Sequence, residues 1–261
     1  MSEMVLDTQE IVSLSRKGKP PPGGDVFITS TTAQELFFLR VKGSGKPAYW
    51  IPTLHKVRHA ELMDRKEWRL LVKEYASRGS AYRDRHLDRL VADFGRDYPP
   101  IVETGHTSIA RIINERKGWL FPMCADVGGL KFLREMRSRA DYLDEYGIRC
   151  KPLNGKAVNS ALPMFHAFVG TYAMKLDYRN SLNDIFILSV ASNWRAPLLT
   201  RDRLLANFSK NYLGAEVEDF QGRGKINFPE NFRETQKMRE SKMYVNKNWR
   251  MIADLKRRGL D

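Results

Sequence analysis

The sequence predicts an α/β protein with a central parallel sheet. Three observations predict it. Four short apolar runs have the length and composition of buried strands: residues 4–6, 25–29, 148–153 and 197–200. Stretches with helical apolar spacing follow them, and that alternation favours parallel pairing. Acids stand at the joints, and in an open parallel sheet ligand sites form outside the carboxyl ends of the strands.

In chain order, Met4-Val-Leu-Asp7-Thr8 is a short apolar run that stops at an acid. Residues 9–17 read as a short helix with Ile11, Val12 and Leu14 on its apolar side. The segment 19–24, KPPPGG, is a loop, because proline removes donors and glycine admits positive φ. The second strand, 25–29, leads into a helix over 30–40 that carries Glu35. Ser30, Thr31 or Thr32 is its expected cap.

Residues from about 41 to 146 read as helical and basic. Trp68, Leu71, Val72 and Tyr75 recur at helical spacing, as do Leu87, Leu90, Val91 and Phe94. Ile109, Ile112 and Ile113 mark another helix starting at Thr107 or Ser108. Leu130, Leu133, Met136, Ala140 and Leu143 mark a longer one. The third strand, 148–153, precedes a helix over 155–175, which Pro163 is expected to interrupt.

The stretch 183–208 holds two acids at two joints. Asp184 opens an apolar run, IFILSVAS, that forms a buried helix. A turn at 193–195 follows, then the strand PLLT, then Asp202. Residues 214–220 read as a final edge strand. The tail beyond Arg223 is rich in Lys and Arg. Met238, Val245, Trp249, Ile252 and Leu255 give it one apolar stripe, so it reads as a helix packed back on the body.

At 261 residues the chain is long enough for one large domain, and 42% hydrophobic content supports a real core. Its net charge of +13 favours a polyanionic partner such as nucleic acid. No run approaches the ~20 apolar residues of a membrane span, and no signal peptide pattern opens the chain. A membrane partner is therefore not expected. The cysteines, Cys124 and Cys150, lack metal-ligand spacing and suit a reducing, cytoplasmic setting. His55, His59, His86, His106 and His166 form no zinc pattern and read as surface or core residues. There is no GxSxG elbow and no phosphate-binding GxxxxGK[ST] loop.

The ordered set MVLDT, FITSTTAQEL, LNDIFILSVAS and APLLTRD resembles the PIN domain family of metal-dependent nucleases. In that family an acid ends the first strand and a glutamate sits on the helix after the second. An aspartate starts a later helix, and a fourth acid follows the next strand. The resemblance covers residues 1–40 and about 147–220. It implies a PIN-like three-layer α/β/α domain over 1–220, enlarged by the basic helical portion at about 41–146, with a basic C-terminal helical extension over 221–261. The corresponding acids are Asp7, Glu35, Asp184 and Asp202. Thr8, Ser30 and Thr200 resemble the family's small polar residues beside them.

Such a site implies an endoribonuclease that uses Mg²⁺ or Mn²⁺. Hard divalent cations take oxygen ligands, so clustered carboxylates suit them. They lower the pKa of water and offset charge on the leaving oxygen. Asp7 and Asp184 are the expected direct ligands. Asp202 would bind directly or through water, and Glu35 would bind metal or orient the water. Thr8, Ser30, Asn183 and Thr200 would support them. Arg195, Arg201 and Arg203 bracket the site as phosphate contacts. RNA is favoured over DNA because the resemblance implies it. The same resemblance admits a toxin of a toxin–antitoxin pair, with a protein inhibitor or antitoxin, or a second copy of the chain, as partner. Two other readings remain open: a structure-specific DNA nuclease of the flap-endonuclease type, and a non-cleaving nucleic-acid-binding protein on the same scaffold. As ordinary residues, Asp184 would be a helix cap, Asp7 and Asp202 loop acids, Glu35 a surface acid, and the three arginines surface charge.

Overall fold

Strand β1 (Met4–Leu6) is three buried residues long and sits at the centre of the sheet. The computed structural model of the chain describes residues 3–37, 88–92, 101–124, 130–172 and 178–229. β1 pairs in parallel with β2 (Val26–Thr29) on one side, Leu6 opposite Ile28. On its other side it pairs in parallel with β6 (Leu198–Thr200), Leu6 opposite Leu199. β5 (Arg149–Lys151) extends the sheet beyond β2, also in parallel. β8 (Gly224–Asn227) joins β6 antiparallel, and β7 (Glu216–Asp219) pairs antiparallel with β8 at the edge. The order is β5-β2-β1-β6-β8-β7. The chain steps outward from β1 in one direction, then returns to lay β6 on the other side of β1. The carboxyl ends of β1 and β6 therefore flank a topological switch point, where α/β sheets open a crevice.

Eight helices are described. On one face lie α1 (Thr8–Lys17), α2 (Ser30–Leu36), α3 (His106–Asn114), α4 (Leu120–Cys124) and α5 (Leu130–Glu145). Their core includes Met4, Leu6, Val26, Ile28 and Leu199 from the sheet. On the other face lie α6 (Gly155–Thr171), α7 (Tyr178–Trp194) and α8 (Arg203–Leu213), packed on Val5, Phe27 and Leu198. The partition follows from the strand's period of two, which sends alternate side chains to opposite faces. β1, β2 and β6 are apolar at nearly every position because both faces are covered. Each fully buried Leu or Ile contributes about 1.5–3 kcal/mol. No helix among the described residues is long and apolar enough to cross a membrane.

Several expectations change. Leu90 and Val91 lie on strand β3 (Arg89–Ala92), not on a helix. β3 pairs antiparallel with β4 (Ile101–Thr104) in a separate two-stranded sheet. Thr29, not a residue of 30–32, caps α2, with its hydroxyl oxygen accepting the Thr32 N–H at 3.0 Å. α3 begins at His106, one residue earlier than expected. α6 runs through buried Pro163 without a break in the helix. One lost backbone bond is tolerated there because neighbouring residues of α6 pack into the core.

α7 begins at Tyr178, so Asp184 lies inside the helix rather than at its start. The predicted edge strand is β7. The second part of that hairpin, β8, was expected to be part of the tail yet belongs to the main sheet. Gly224 of β8 faces Thr200 closely, and a Cβ there would stand 3.2 Å from that of Ala206. The helices expected around Trp68 and beyond residue 229 lie outside the described residues.

Candidate active site

Asp7 follows β1 directly and is the N-cap of α1. Its backbone stays extended while its Oδ1 accepts the Thr8 N–H at 2.6 Å. Thr200 ends β6, beside β1, and its hydroxyl donates to Asp7 Oδ2 at 2.8 Å. The same hydroxyl oxygen accepts the Asp202 N–H at 3.0 Å. Asp202 then caps α8, its Oδ1 accepting from the N–H groups of Leu204 at 2.8 Å and Leu205 at 3.1 Å. Two acids, Asp7 and Asp202, thus stand at two helix starts on adjacent strand ends, linked through one threonine.

Glu35, on the last turn of α2, completes the group. Thr8 donates its hydroxyl to Glu35 Oε2 at 2.5 Å. Asn183 of α7 donates its amide to Oε1 at 2.8 Å. α2 is held at this end by Arg139 of α5, whose guanidinium donates to the Leu36 carbonyl and to Glu135. The result is one continuous hydrogen-bonded chain, Asn183–Glu35–Thr8–Asp7–Thr200–Asp202, across four helices and two strands.

Its electrostatics centre on Asp7, which is 3% exposed. Burial pushes the Asp7 carboxyl up to about 6, the bonds from Thr200 and Thr8 oppose that shift, and the charges of Glu35 and Asp202 add to it. Among the described residues no cation pairs with Asp7. Three carboxylates therefore share one region at the switch point, tied together by neutral donors.

The other predicted site residues fall as follows. Asp184 is half-buried on the second turn of α7, next to Asn183 but about 100° round the helix from it. Asn183 ties α7 to the cluster through its bond to Glu35. Ser30 does not join the chain of bonds. Its hydroxyl oxygen accepts the Leu153 N–H and lies against His106. Arg201 is committed to Glu10, its Nε 2.7 Å from Glu10 Oε2. Arg195 follows the far end of α7, in a left-handed turn with φ of 52°. Eleven residues of helix, roughly 16 Å, separate Trp194 beside it from Asn183. Arg203, the first residue of α8, is exposed directly after Asp202.

Two features were not visible in the sequence. Glu10 is fully buried, and besides Arg201 it meets Arg223, with 3.2 Å between Nη1 and Oε1. His106 and Glu103 form a buried pair whose only trace is an i, i+3 spacing across a strand end and a helix start.

A hard divalent cation suits this donor set in chemistry. Each Asp7 oxygen accepts one hydrogen bond, which leaves each a second lone pair. A cation would also offset the burial, and the lesser repulsion from Glu35 and Asp202, that raise the Asp7 pKa. Among the described residues no three His, Cys, Asp or Glu side chains form a ready metal-holding group.

The fold and site define an α/β protein with a mostly parallel central sheet and an acidic cluster at its switch point. Compared with known proteins, the chain matches no family model, no curated protein and no solved structure.

Proposed function

We propose that this protein is a PIN-like, Mg²⁺- or Mn²⁺-dependent nuclease that hydrolyses RNA. The single observation that carries the reading is Asp7: a buried acid at the switch point, beside two further acids, with hydroxyl and amide donors but no cation partner among the described residues. Active sites are where burial and like charges raise an acid's pKa, and both act on Asp7. The net charge of +13 supports a polyanionic substrate.

Asp7, Asp202 and Glu35 would hold the cation, with Asp184 added from α7. The bound ion would lower the pKa of water and offset charge at the scissile phosphate. Thr200 fixes both Asp7 and the start of the Asp202 loop, and Thr8 and Asn183 fix the two oxygens of Glu35. Such supporting bonds set ligand orientation and are worth roughly 10- to 100-fold in activity. Arg203, exposed beside Asp202, would contact a neighbouring phosphate. The family resemblance favours RNA over DNA and admits a role as toxin with a protein antitoxin, and the two cysteines suit a cytoplasmic setting.

The test is a cleavage assay on labelled single-stranded RNA, duplex RNA, single-stranded DNA and flap DNA, with Mn²⁺ or with EDTA. The expected outcome is Mn²⁺-dependent RNA cutting that falls by roughly three orders of magnitude in Asp7→Asn, as several kcal/mol of lost charge stabilisation implies. Asp184→Asn, run beside it, measures how far Asp184 joins the site. Cutting confined to flap DNA would replace RNA as the substrate. Binding without cutting would leave a nucleic-acid-binding scaffold.

A further inference from the structure

A second polar network lies away from the carboxylate cluster, and most of it is out of reach of water. Ser30 and His106 are 0% exposed and Glu103 is 1% exposed. The Ser30 hydroxyl lies 2.8 Å from His106 Nδ1. His106 Nε2 lies 3.0 Å from Glu103 Oε2. Arg179 of α7 donates to Glu103 Oε1. The Leu153 N–H donates to Ser30 Oγ at 2.8 Å. One proton arrangement satisfies all of these contacts. Ser30 donates to Nδ1 while accepting from Leu153, and His106 carries its hydrogen on Nε2 and donates it to Glu103.

A serine, a histidine and an acid in a row could suggest a nucleophile. Burial excludes that use, since no substrate reaches Ser30 Oγ. The network's place in the fold gives it another. Ser30 is the first residue of α2, and Glu35 lies on that helix's last turn. Arg179 precedes Asn183 by four residues on α7, so both project from one face of it. α2 and α7 are therefore joined at two levels. At one level Asn183 bonds Glu35 directly. At the other, the chain Arg179–Glu103–His106–Ser30 crosses between them through the corner from β4 to α3. Gln34 of α2 adds a bond to the Thr104 carbonyl at 3.0 Å, tying the same corner to the turn that carries Glu35.

We propose that this buried chain is a positioning device that sets Glu35 against Asn183, with Arg179 and His106 as its positioning residues. Its effect on cleavage rests on the nuclease reading; its effect on the coupling of α2 to α7 does not. A buried pair that loses one partner leaves the other charge uncompensated, so the device is sensitive to single substitutions.

The experiment compares the full chain with Arg179→Met, Arg179→Lys and Ser30→Ala. Amide hydrogen exchange over α2 and α6 and Mn²⁺-dependent RNA cleavage are read for each. Arg179→Met is expected to speed exchange across α2 and to lower kcat by roughly 10- to 100-fold with little change in KM. Exchange in α6, which packs on the opposite face of the sheet, stays slow. Arg179→Lys recovers part of both effects. Ser30→Ala, which leaves the Glu103–Arg179 pair in place, gives the same pattern more weakly, and it decides the matter if Arg179→Met fails to fold. Unchanged α2 exchange in folded Arg179→Met and Ser30→Ala overturns the proposal. If the parent chain cleaves nothing, the nuclease reading fails, and α2 exchange alone still decides the coupling.

Discussion

Asp7 and Glu10 stand three residues apart at the start of α1, both buried, and the fold treats them in opposite ways. Glu10 meets two arginines, Arg201 and Arg223, at 2.7 and 3.2 Å. Asp7 meets an N–H and a hydroxyl, and the charges around it are those of Glu35 and Asp202. The same helix start therefore offers cations to one acid and withholds them from the other. A compensated buried acid is explained by architecture: Glu10 ties α1 to the loop after β6 and to the β8 hairpin. An acid held among other acids, at a switch point, is what the proposed cation site would explain.

Three substitutions probe this contrast. The largest effect is expected from Glu10→Gln. Removing one partner of a buried ion pair costs about 3–5 kcal/mol, and the partial exposure of Arg201 places the loss at the lower end. Denaturant unfolding measures it. A loss below about 1 kcal/mol would mean that the two arginines are adequately solvated without Glu10, and the contrast would dissolve.

The next effect has the opposite sign. Burial pushes the Asp7 carboxyl up to about 6 in the fold, against the ordinary value of 3.8. Below about pH 4 it is protonated in both states and contributes no difference. As pH rises from about 4 to 6, the unfolded chain gives up its proton first, so stability falls. Above that window the penalty is complete, at most about 3 kcal/mol. Asp7→Asn removes the penalty and retains the α1 cap. The variant should be more stable than the parent at pH 8 in EDTA, and equal to it near pH 3.5. Thermal unfolding at both pH values measures this, and a variant less stable at pH 8 would show that Asp7 is compensated after all.

The smallest effect is expected at Arg203. Exposed and beside Asp202, it should change stability by less than about 0.5 kcal/mol when replaced by Ala. RNA binding should weaken, with the salt slope falling by about 1. An unchanged salt slope would remove Arg203 from the phosphate path.

Much of this arrangement was legible in the sequence. β1, β2 and β6 are short, apolar and followed by helices, and Asp7, Thr200 and Asp202 lie at their ends in a recognisable order. Covalent neighbours fix such positions once the strands are placed. Relations between distant segments left little trace. Leu90 and Val91 fit a helical spacing as well as a strand, because a four-residue strand is too short to establish a period of two. The run GKIN of β8 carries no strand signal and reads as part of the basic tail. The apolar run that begins after Asp184 reads as a helix start, whereas α7 starts with polar residues a turn and a half earlier. Asn183, the neighbour of Asp184 on α7, bonds Glu35. Arg201 looked like a free cation since nothing in the sequence reveals that Glu10 is buried against it.

The most direct test of the central claim is calorimetric titration of Mn²⁺ into the parent chain and into Asp7→Asn. If Asp7 is the fixed centre of a cation site, the parent binds Mn²⁺ saturably at pH 7.5. Binding weakens as pH falls through about 6, where Asp7 takes up a proton. The variant loses at least about tenfold in affinity. No saturable binding by the parent, or equal binding by parent and variant, would contradict the account.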